Sequence, residues 1–211
     1  MLLRALPDPS GHRVLDIGAG ASTLPAYLAR KGGRVTALDL LDPYSAPLAS
    51  IARRSNRHGV RLVLGSMLAL PFADGTLDAV VSISAIEHLG HEKGRERVVP
   101  RNEFWSRTKV ALAEMARVLR PSGLFYLTSE IYVEGRVEGD RWWGSLAEGS
   151  VVGAYPATAI GEIFLDPLRR LGIALEGGVD ISPELLVADP DRSNFRDRFI
   201  STFCLVGRKR P

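Results

Sequence analysis

The chain has 211 residues, 45% of them hydrophobic, which is enough for one packed core and makes a single domain over residues 1–211 the expectation. Formal net charge is +3, and the cations are nearly all arginine, since Lys31, Lys93, Lys109 and Lys209 are the only lysines. They are interleaved with acids, the pattern of a solvated surface rather than a nucleic-acid footprint, and the single Cys204 excludes an intrachain disulfide framework.

No segment approaches eighteen uninterrupted apolar residues, and "MLLRALPDPSGHR" lacks the apolar stretch of a signal peptide, so a cytoplasmic protein with no membrane contact is expected. In chain order, "HRVLDIG" reads as a buried strand and "ASTLPAYLARKGG" as a helix closed by glycines. "RVTALDL" is a second strand, and "APLASIARRSNRHG" a second helix stopped by Gly59. "VRLVLGS" and "TLDAVVSIS" are strands three and four. From about Asn102 to Leu119 the apolar residues recur at helical spacing; "RPSG" then breaks the helix and "LFYLTS" is strand five. The glycine-rich run from Glu130 to Tyr155 reads as an excursion over the sheet. "ATAIGEIFLDPLRRLG" resumes a helix that Pro167 bends or interrupts, and "FISTFCLVGRK" closes the chain as a strand in which Cys204 is a buried structural thiol. Strands separated by helices imply βαβ units, a mostly parallel sheet, and a ligand site at the carboxyl ends of the strands.

That places "VLDIGAGAST" at the site. Gly18 and Gly20 stand where strand one must turn sharply, and glycine there allows positive φ and close approach of a ligand to the backbone. The N–H groups at the following helix start suit a carboxylate or phosphate. A dinucleotide fingerprint would have a third glycine where Thr23 stands, and Asp16 suits a cationic group, such as the amino group of an amino-acid moiety, better than a pyrophosphate. Asp16 could equally hydrogen-bond the N–H groups of its own loop. Asp39 ends strand two about twenty residues on, where an acid commonly binds the hydroxyls of a ribose, or serves only as a turn former.

At these residues the chain resembles the class I S-adenosylmethionine-dependent methyltransferases. "VLDIGAGAS" and "VTALDL" are similar to the family's first two motifs. "GSMLALPFADGTLDAVVSISAIEHL" follows its third strand, adenine loop and fourth strand, and "EMARVLRPSGLFYLT" its closing helix and fifth strand. The resemblance implies an α/β Rossmann-like three-layer sandwich with a seven-stranded, mostly parallel sheet whose last strand is antiparallel. It also implies S-adenosylmethionine as cofactor and methyl transfer to an oxygen, nitrogen or carbon of a small-molecule acceptor. Carried over by position, Asp16, Gly18, Ala19 and Gly20 surround the methionine part. Asp39 takes the ribose hydroxyls, Leu40 packs on the adenine, Ser66 and Met67 flank it, and Ser82 and Ile83 line the reacting end. An acid is common at the Ser66 position; serine accepts a hydrogen bond there without charge.

A methyl on a sulfonium is already activated, so the protein supplies mostly positioning and exclusion of water. His88, in "AIEHLG" just past strand four, is the candidate general base, with Glu87 beside it; the resemblance implies as the alternative that this pair shapes the loop or faces the cofactor. His12, His58 and His91 are scattered, and no spacing suits a metal. Trp142 and Trp143 could stack on a flat acceptor, and Arg95, Arg97 and Arg101 could bind an anionic one or form a solvated helix face. "SISA" stands where nucleic-acid amino methyltransferases carry an Asn-Pro tetrad, so no nucleic-acid substrate is expected. About a dozen residues precede strand one, which leaves the site open or closed by a second subunit of a homodimer. The alternative is a catalytically silent domain that binds the cofactor as a sensor or subunit.

Overall fold

The computed structural model describes residues 2–40, 56–90, 99–132, 155–179 and 200–211. The chain opens with a single turn, α1 (Leu2–Ala5), then β1 (Arg13–Ile17), α2 (Leu24–Arg30), β2 (Arg34–Asp39), β3 (Arg61–Leu64) and β4 (Leu77–Ile83). A 3-10 turn (Ile86–Gly90) follows, and then α3 (Arg101–Val118) runs directly into β5 (Leu119–Tyr132). The last part holds β6 (Tyr155–Pro156), a 3-10 turn (Ala157–Ala159), a π turn (Gly161–Leu165), α4 (Asp166–Arg170), β7 (Ile173–Leu175) and β8 (Ile200–Lys209).

The strands form one sheet in the order β3-β2-β1-β4-β5-β8-β7, with the two residues of β6 added alongside β5. Every pairing from β3 through β5 is parallel, and β8 runs antiparallel to both β5 and β7. This is the mostly parallel sheet with an antiparallel last strand that the sequence implies. Order reverses between β1 and β4, so the crevice at the carboxyl ends of β1, β2 and β4 is the switch point.

Alternation along each strand sends side chains to two cores. Leu15, Ile17, Val80, Phe125 and Leu127 meet Phe104, Leu112 and Met115 of α3 and Phe164 and Leu168 near α4. Val14, Val35, Ala79, Val81 and Tyr126 meet Leu2 of α1, Leu6 just after it and Leu28 of α2. A sheet covered on both faces explains why its strands read as nearly continuous apolar runs.

The elements differ from their sequence-based bounds in instructive places. "RPSG" does end the helix, but Arg120–Gly123 remain in β5 as an irregularity between the pairs Leu77–Leu119 and Ala79–Leu124, with Ser122 at φ 62. Pro167 has no N–H to donate to the preceding turn, and the chain before it takes the wider π pattern before α4 begins. β7, three residues long, has no counterpart in the sequence reading. Cys204 is half-buried rather than buried. The helix expected over 46–59 lies mostly outside the described residues, of which Asn56 and Arg57 are helical and Gly59 turns at φ 76. Among the described residues, no helix is long and apolar enough to cross a membrane.

Candidate cofactor and active site

A cavity of about 380 Å³ opens at the switch point, within the range of small-molecule sites. Its wall contains Asp16, Gly18, Ala19, Gly20, Asp39, Leu40, Met67, Ile83 and His88, nine of the residues that the sequence points to.

The glycine turn is shaped by necessity. Gly18 has φ 69, and a Cβ on it would stand 2.3 Å from Cβ of Ala85, so neither conformation nor space admits a side chain. Its N–H and that of Ala19 donate to the Leu38 carbonyl at 2.8 and 3.2 Å, which ties the turn to the end of β2. Gly20 N–H donates to Oδ2 of Asp39 at 2.7 Å. Ser22 N–H reaches the Ala19 carbonyl, and Leu24 N–H reaches the Ser22 hydroxyl. Five donors of the turn, on Gly18, Ala19, Gly20, Ser22 and Leu24, therefore already have acceptors within the protein. α2 itself has only seven residues, with Pro25 in its first turn.

Asp16 takes the opposite position. It is 3% exposed, and no hydrogen bond reaches its carboxylate among the described residues, so the loop-binding alternative for it is not realised. Burial, and secondarily the charge of Asp39, push its pKa from 3.8 up to about 7. A buried carboxylate without donors, on the wall of a cavity, is poised for a cation or a donor group from a ligand.

Across the cavity, the chain leaving β4 makes the second wall. Ser84 has φ 44, in the left-handed region, and its N–H donates to both the carbonyl and the hydroxyl of Thr128 on β5. The bend brings Ala85 against Gly18 and presents His88 at the mouth. His88 is exposed, and partial desolvation of its imidazole against the wall lowers its pKa from 6.5, against the opposing pull of Asp39, so its neutral form predominates at pH 7. Glu87, adjacent in sequence, points the other way. It is buried to 1% exposure beneath the turn, and that burial raises its pKa to about 7, despite bonds from its own N–H and from Ser129.

Two sequence-based candidates are not on this wall. Ser82 precedes Ile83, and alternation along β4 sends its side chain to the opposite face, where it is fully buried and its hydroxyl has no partner. Ser66 spends its hydroxyl accepting the N–H of Leu68, and Gly65 lines the cavity in its stead. Ala21, Ser22, Ser84 and Ala85 line it too and were not singled out by the sequence. The tight turns on either side of the cavity are the signal that would have found them. His12 bonds to the Ser10 carbonyl and sits just before β1, at the end of that strand away from the site. Among the described residues, no His, Cys, Asp or Glu side chains group as a metal site. Arg101 lies over the ring of Trp105 at 5.5 Å. Trp142, Trp143, Arg95, Arg97 and His91 fall outside the described residues.

Comparison with known proteins bears on this cavity. Residues 15–127 match the family described as "Methyltransferase domain", a span that runs from within β1 into β5. A fatty-acid O-methyltransferase of Mycolicibacterium smegmatis is 32% identical over 187 residues, 86% of this chain and 59% of that protein. A demethylmenaquinone methyltransferase of Thermobifida fusca is 34% identical over 114 residues, 54% of this chain and 42% of its own. The chain thus spans about half the length of these relatives. Among solved structures, geranyl diphosphate C-methyltransferase from Streptomyces coelicolor, in complex with Mg2+, geranyl diphosphate and S-adenosyl-L-homocysteine, superposes with a TM-score of 0.67 at 17% identity, covering 99% of this chain and 76% of the other.

Proposed function

The chain belongs to the methyltransferase-domain family, and from that premise we propose that it binds S-adenosylmethionine in the cavity between β1, β2 and β4 and transfers its methyl group to a small-molecule acceptor. The observation that carries the proposal is Asp16, a buried carboxylate with no hydrogen-bond donor among the described residues, on a wall where glycine leaves room for a ligand. The residues fit the cofactor: Asp16 takes the ammonium of its methionine part, and Asp39 takes ribose hydroxyls. Leu40 and Met67 hold the adenine between apolar side chains. Bound there, S-adenosylmethionine supplies a methyl group on a sulfonium whose leaving group is a neutral thioether.

The protein's part is then to hold the acceptor in line and keep water out. Ile83, Ser84 and His88 form the reacting end. A neutral His88 can accept a proton from a hydroxyl or amine acceptor. A carboxylic acid acceptor is already ionised at pH 7 and needs no base. The relative from Mycolicibacterium smegmatis makes a fatty acid the first acceptor to try. The same reading has the protein work in the cytoplasm on small molecules rather than nucleic acid, as one domain that forms a homodimer if a second copy closes the site.

The test is incubation with S-adenosylmethionine labelled in its methyl group and a series of fatty acids of increasing chain length, followed by extraction of methyl esters. Labelled ester that disappears in Asp16→Ala supports the proposal. Cofactor binding with no labelled product from fatty acids, phenols or amines would leave the silent-domain alternative in its place.

A further inference from the structure

Glu87 is a cost that the fold carries without an evident return. It and Asp16 are the only acids buried among the described residues, and Asp16 faces the cavity while Glu87 does not. A buried carboxyl with few donors destabilises, and an apolar side chain of like volume in its place is commonly neutral or stabilising. Stability therefore does not explain the residue. Its surroundings do.

The 3-10 turn Ile86–Gly90 is held from outside at Ile86, Glu87, Leu89 and Gly90 by other described residues. Tyr155 donates its hydroxyl to the Ile86 carbonyl at 3.3 Å and shares a 2.9 Å bond with the Thr108 hydroxyl of α3. Arg107 donates to the Leu89 carbonyl at 3.4 Å, and Val99 N–H to the Gly90 carbonyl at 3.0 Å. The fourth tie differs in kind, because a side chain of the turn makes it: Ser129 donates its hydroxyl to Oε2 of Glu87 at 2.8 Å. Ser129 follows Thr128, which holds Ser84. Two consecutive residues of β5 thus fix the start and the middle of the segment from Ser84 to Gly90. Within that segment, Ala85 leaves no room for a Cβ on Gly18, and His88, next to Glu87, lines the cavity.

We propose that Glu87 is a positioning residue, which through Ser129 sets where Ala85 and His88 stand in the wall of the cavity. The tie needs only an acceptor oxygen, so either protonation state of the carboxyl can make it. With a pKa of about 7 it passes between the two near neutrality. Glu130 adds a like charge nearby, and the Tyr155 hydroxyl is the other titratable group facing it. The inference rests on the cavity being the cofactor site, yet its geometric core, the placing of His88, can be read without the cofactor.

The experiment compares wild type, Glu87→Leu, Glu87→Gln and Ser129→Ala in three readouts. These are the melting temperature, the affinity for S-adenosylhomocysteine, and the imidazole NMR resonance of His88, assigned by its loss in His88→Asn. Glu87→Leu is expected to melt at or above the wild-type temperature, bind about tenfold more weakly, and shift the His88 resonance. Glu87→Gln, whose amide oxygen can still accept from Ser129, is expected to stay near wild type in affinity and in the His88 resonance. A Glu87→Leu protein with wild-type affinity and an unmoved His88 resonance would overturn the proposal. Should that variant fail to fold, Ser129→Ala cuts the same tie from the other end, and the same two results decide. If wild type itself does not bind S-adenosylhomocysteine, the cofactor reading fails and the His88 resonance alone decides the positioning role.

Discussion

The two walls of the cavity meet where Gly18 faces Ala85, and they are built on different principles. The wall from β1 and β2 works through residue type at a fixed place in the chain: an acid at the end of β1, glycines in the turn, a second acid at the end of β2. The wall from β4 works through packing. Ser84 is bent into the left-handed region by Thr128, Ala85 is pressed to the glycine, and His88 stands on a turn held by Ser129, Tyr155 and Arg107. The first wall supplies charge for a ligand. The second supplies shape, and its own acid, Glu87, is turned away from the ligand into the core.

The largest effect should come from breaking the contact between the walls. Gly18→Ala puts a Cβ 2.3 Å from Ala85 and an L side chain at φ 69. Overpacking of this kind costs about 1–3 kcal/mol, which for a domain of this size lowers the melting temperature by roughly 3–10 °C. S-adenosylhomocysteine binding should be lost with it. Ala85→Gly in the same chain should recover part of the melting temperature, whereas no recovery would mean that backbone strain at Gly18, not the second wall, carries the cost.

Asp16→Ala isolates the charge of the first wall. Loss of a hydrogen bond to a charged group is worth about 1.5–3 kcal/mol, so affinity for S-adenosylhomocysteine measured by calorimetry should fall roughly 10- to 100-fold. The unliganded protein should melt no lower at pH 8, because a buried carboxylate has been removed. Weakened binding accompanied by a large fall in melting temperature would instead mark Asp16 as a structural residue.

A pH titration separates the walls more finely. Asp16 and Glu87 both have folded pKa values of about 7, above 3.8 and 4.5, so between pH 4 and pH 7 the folded protein holds protons that the unfolded chain has released. Unliganded stability should therefore fall as pH rises through that window and level off above it. Asp16→Asn and Glu87→Gln should each flatten part of the fall. Binding has the opposite trend: an ionised Asp16 favours the ammonium, so affinity should tighten about fivefold to tenfold from pH 6 to pH 8 in wild type, and not in Asp16→Asn.

The smallest effect tests a device that serves the first wall from a distance. Arg117 donates to both oxygens of Glu114, at 2.7 and 2.8 Å, to the Phe72 and Leu70 carbonyls, and to Asp74. Glu114 in turn accepts the N–H of Leu70 at 2.7 Å. The loop that carries Gly65 and Met67 is thereby clamped to α3. Because the clamp is partly open to solvent, Arg117→Ala should weaken S-adenosylhomocysteine binding only about threefold. An unchanged affinity would show that the loop keeps its place through Leu70 packing alone.

The contrast between the walls also explains how much was legible in the sequence. Asp16, Gly18, Gly20 and Asp39 could be found because a strand end followed by glycines, and an acid at the next strand end, are local patterns with a physical reason. The mostly parallel sheet followed from alternating strands and helices, whereas the order of its strands came only from the structure. Ser82 was misplaced because a strand's alternation turns on one residue, and only the true end of β4 shows that Ile83, not Ser82, faces the cavity. Ser66 drew attention by its position after β3, while the side-chain-free Gly65 beside it reaches the cavity. Nothing in the sequence ties Glu87 to Ser129, 42 residues later, because that bond exists only once β4 and β5 pair. β7 is too short for a periodic signal, and only Gly172, at φ 79, marks the turn before it.

The central claim, that the Asp16 cavity holds an adenosyl cofactor, is tested most directly by thermal melts of the wild-type protein with S-adenosylhomocysteine, with S-adenosylmethionine and with NAD. Ligand at a hundred times its Kd stabilises by about 2.7 kcal/mol, which here corresponds to a rise of roughly 5–10 °C. That rise is expected with both adenosyl ligands, with its loss in Asp16→Ala and no rise with NAD. A rise with NAD alone, or none with either adenosyl ligand at millimolar concentration, would contradict it.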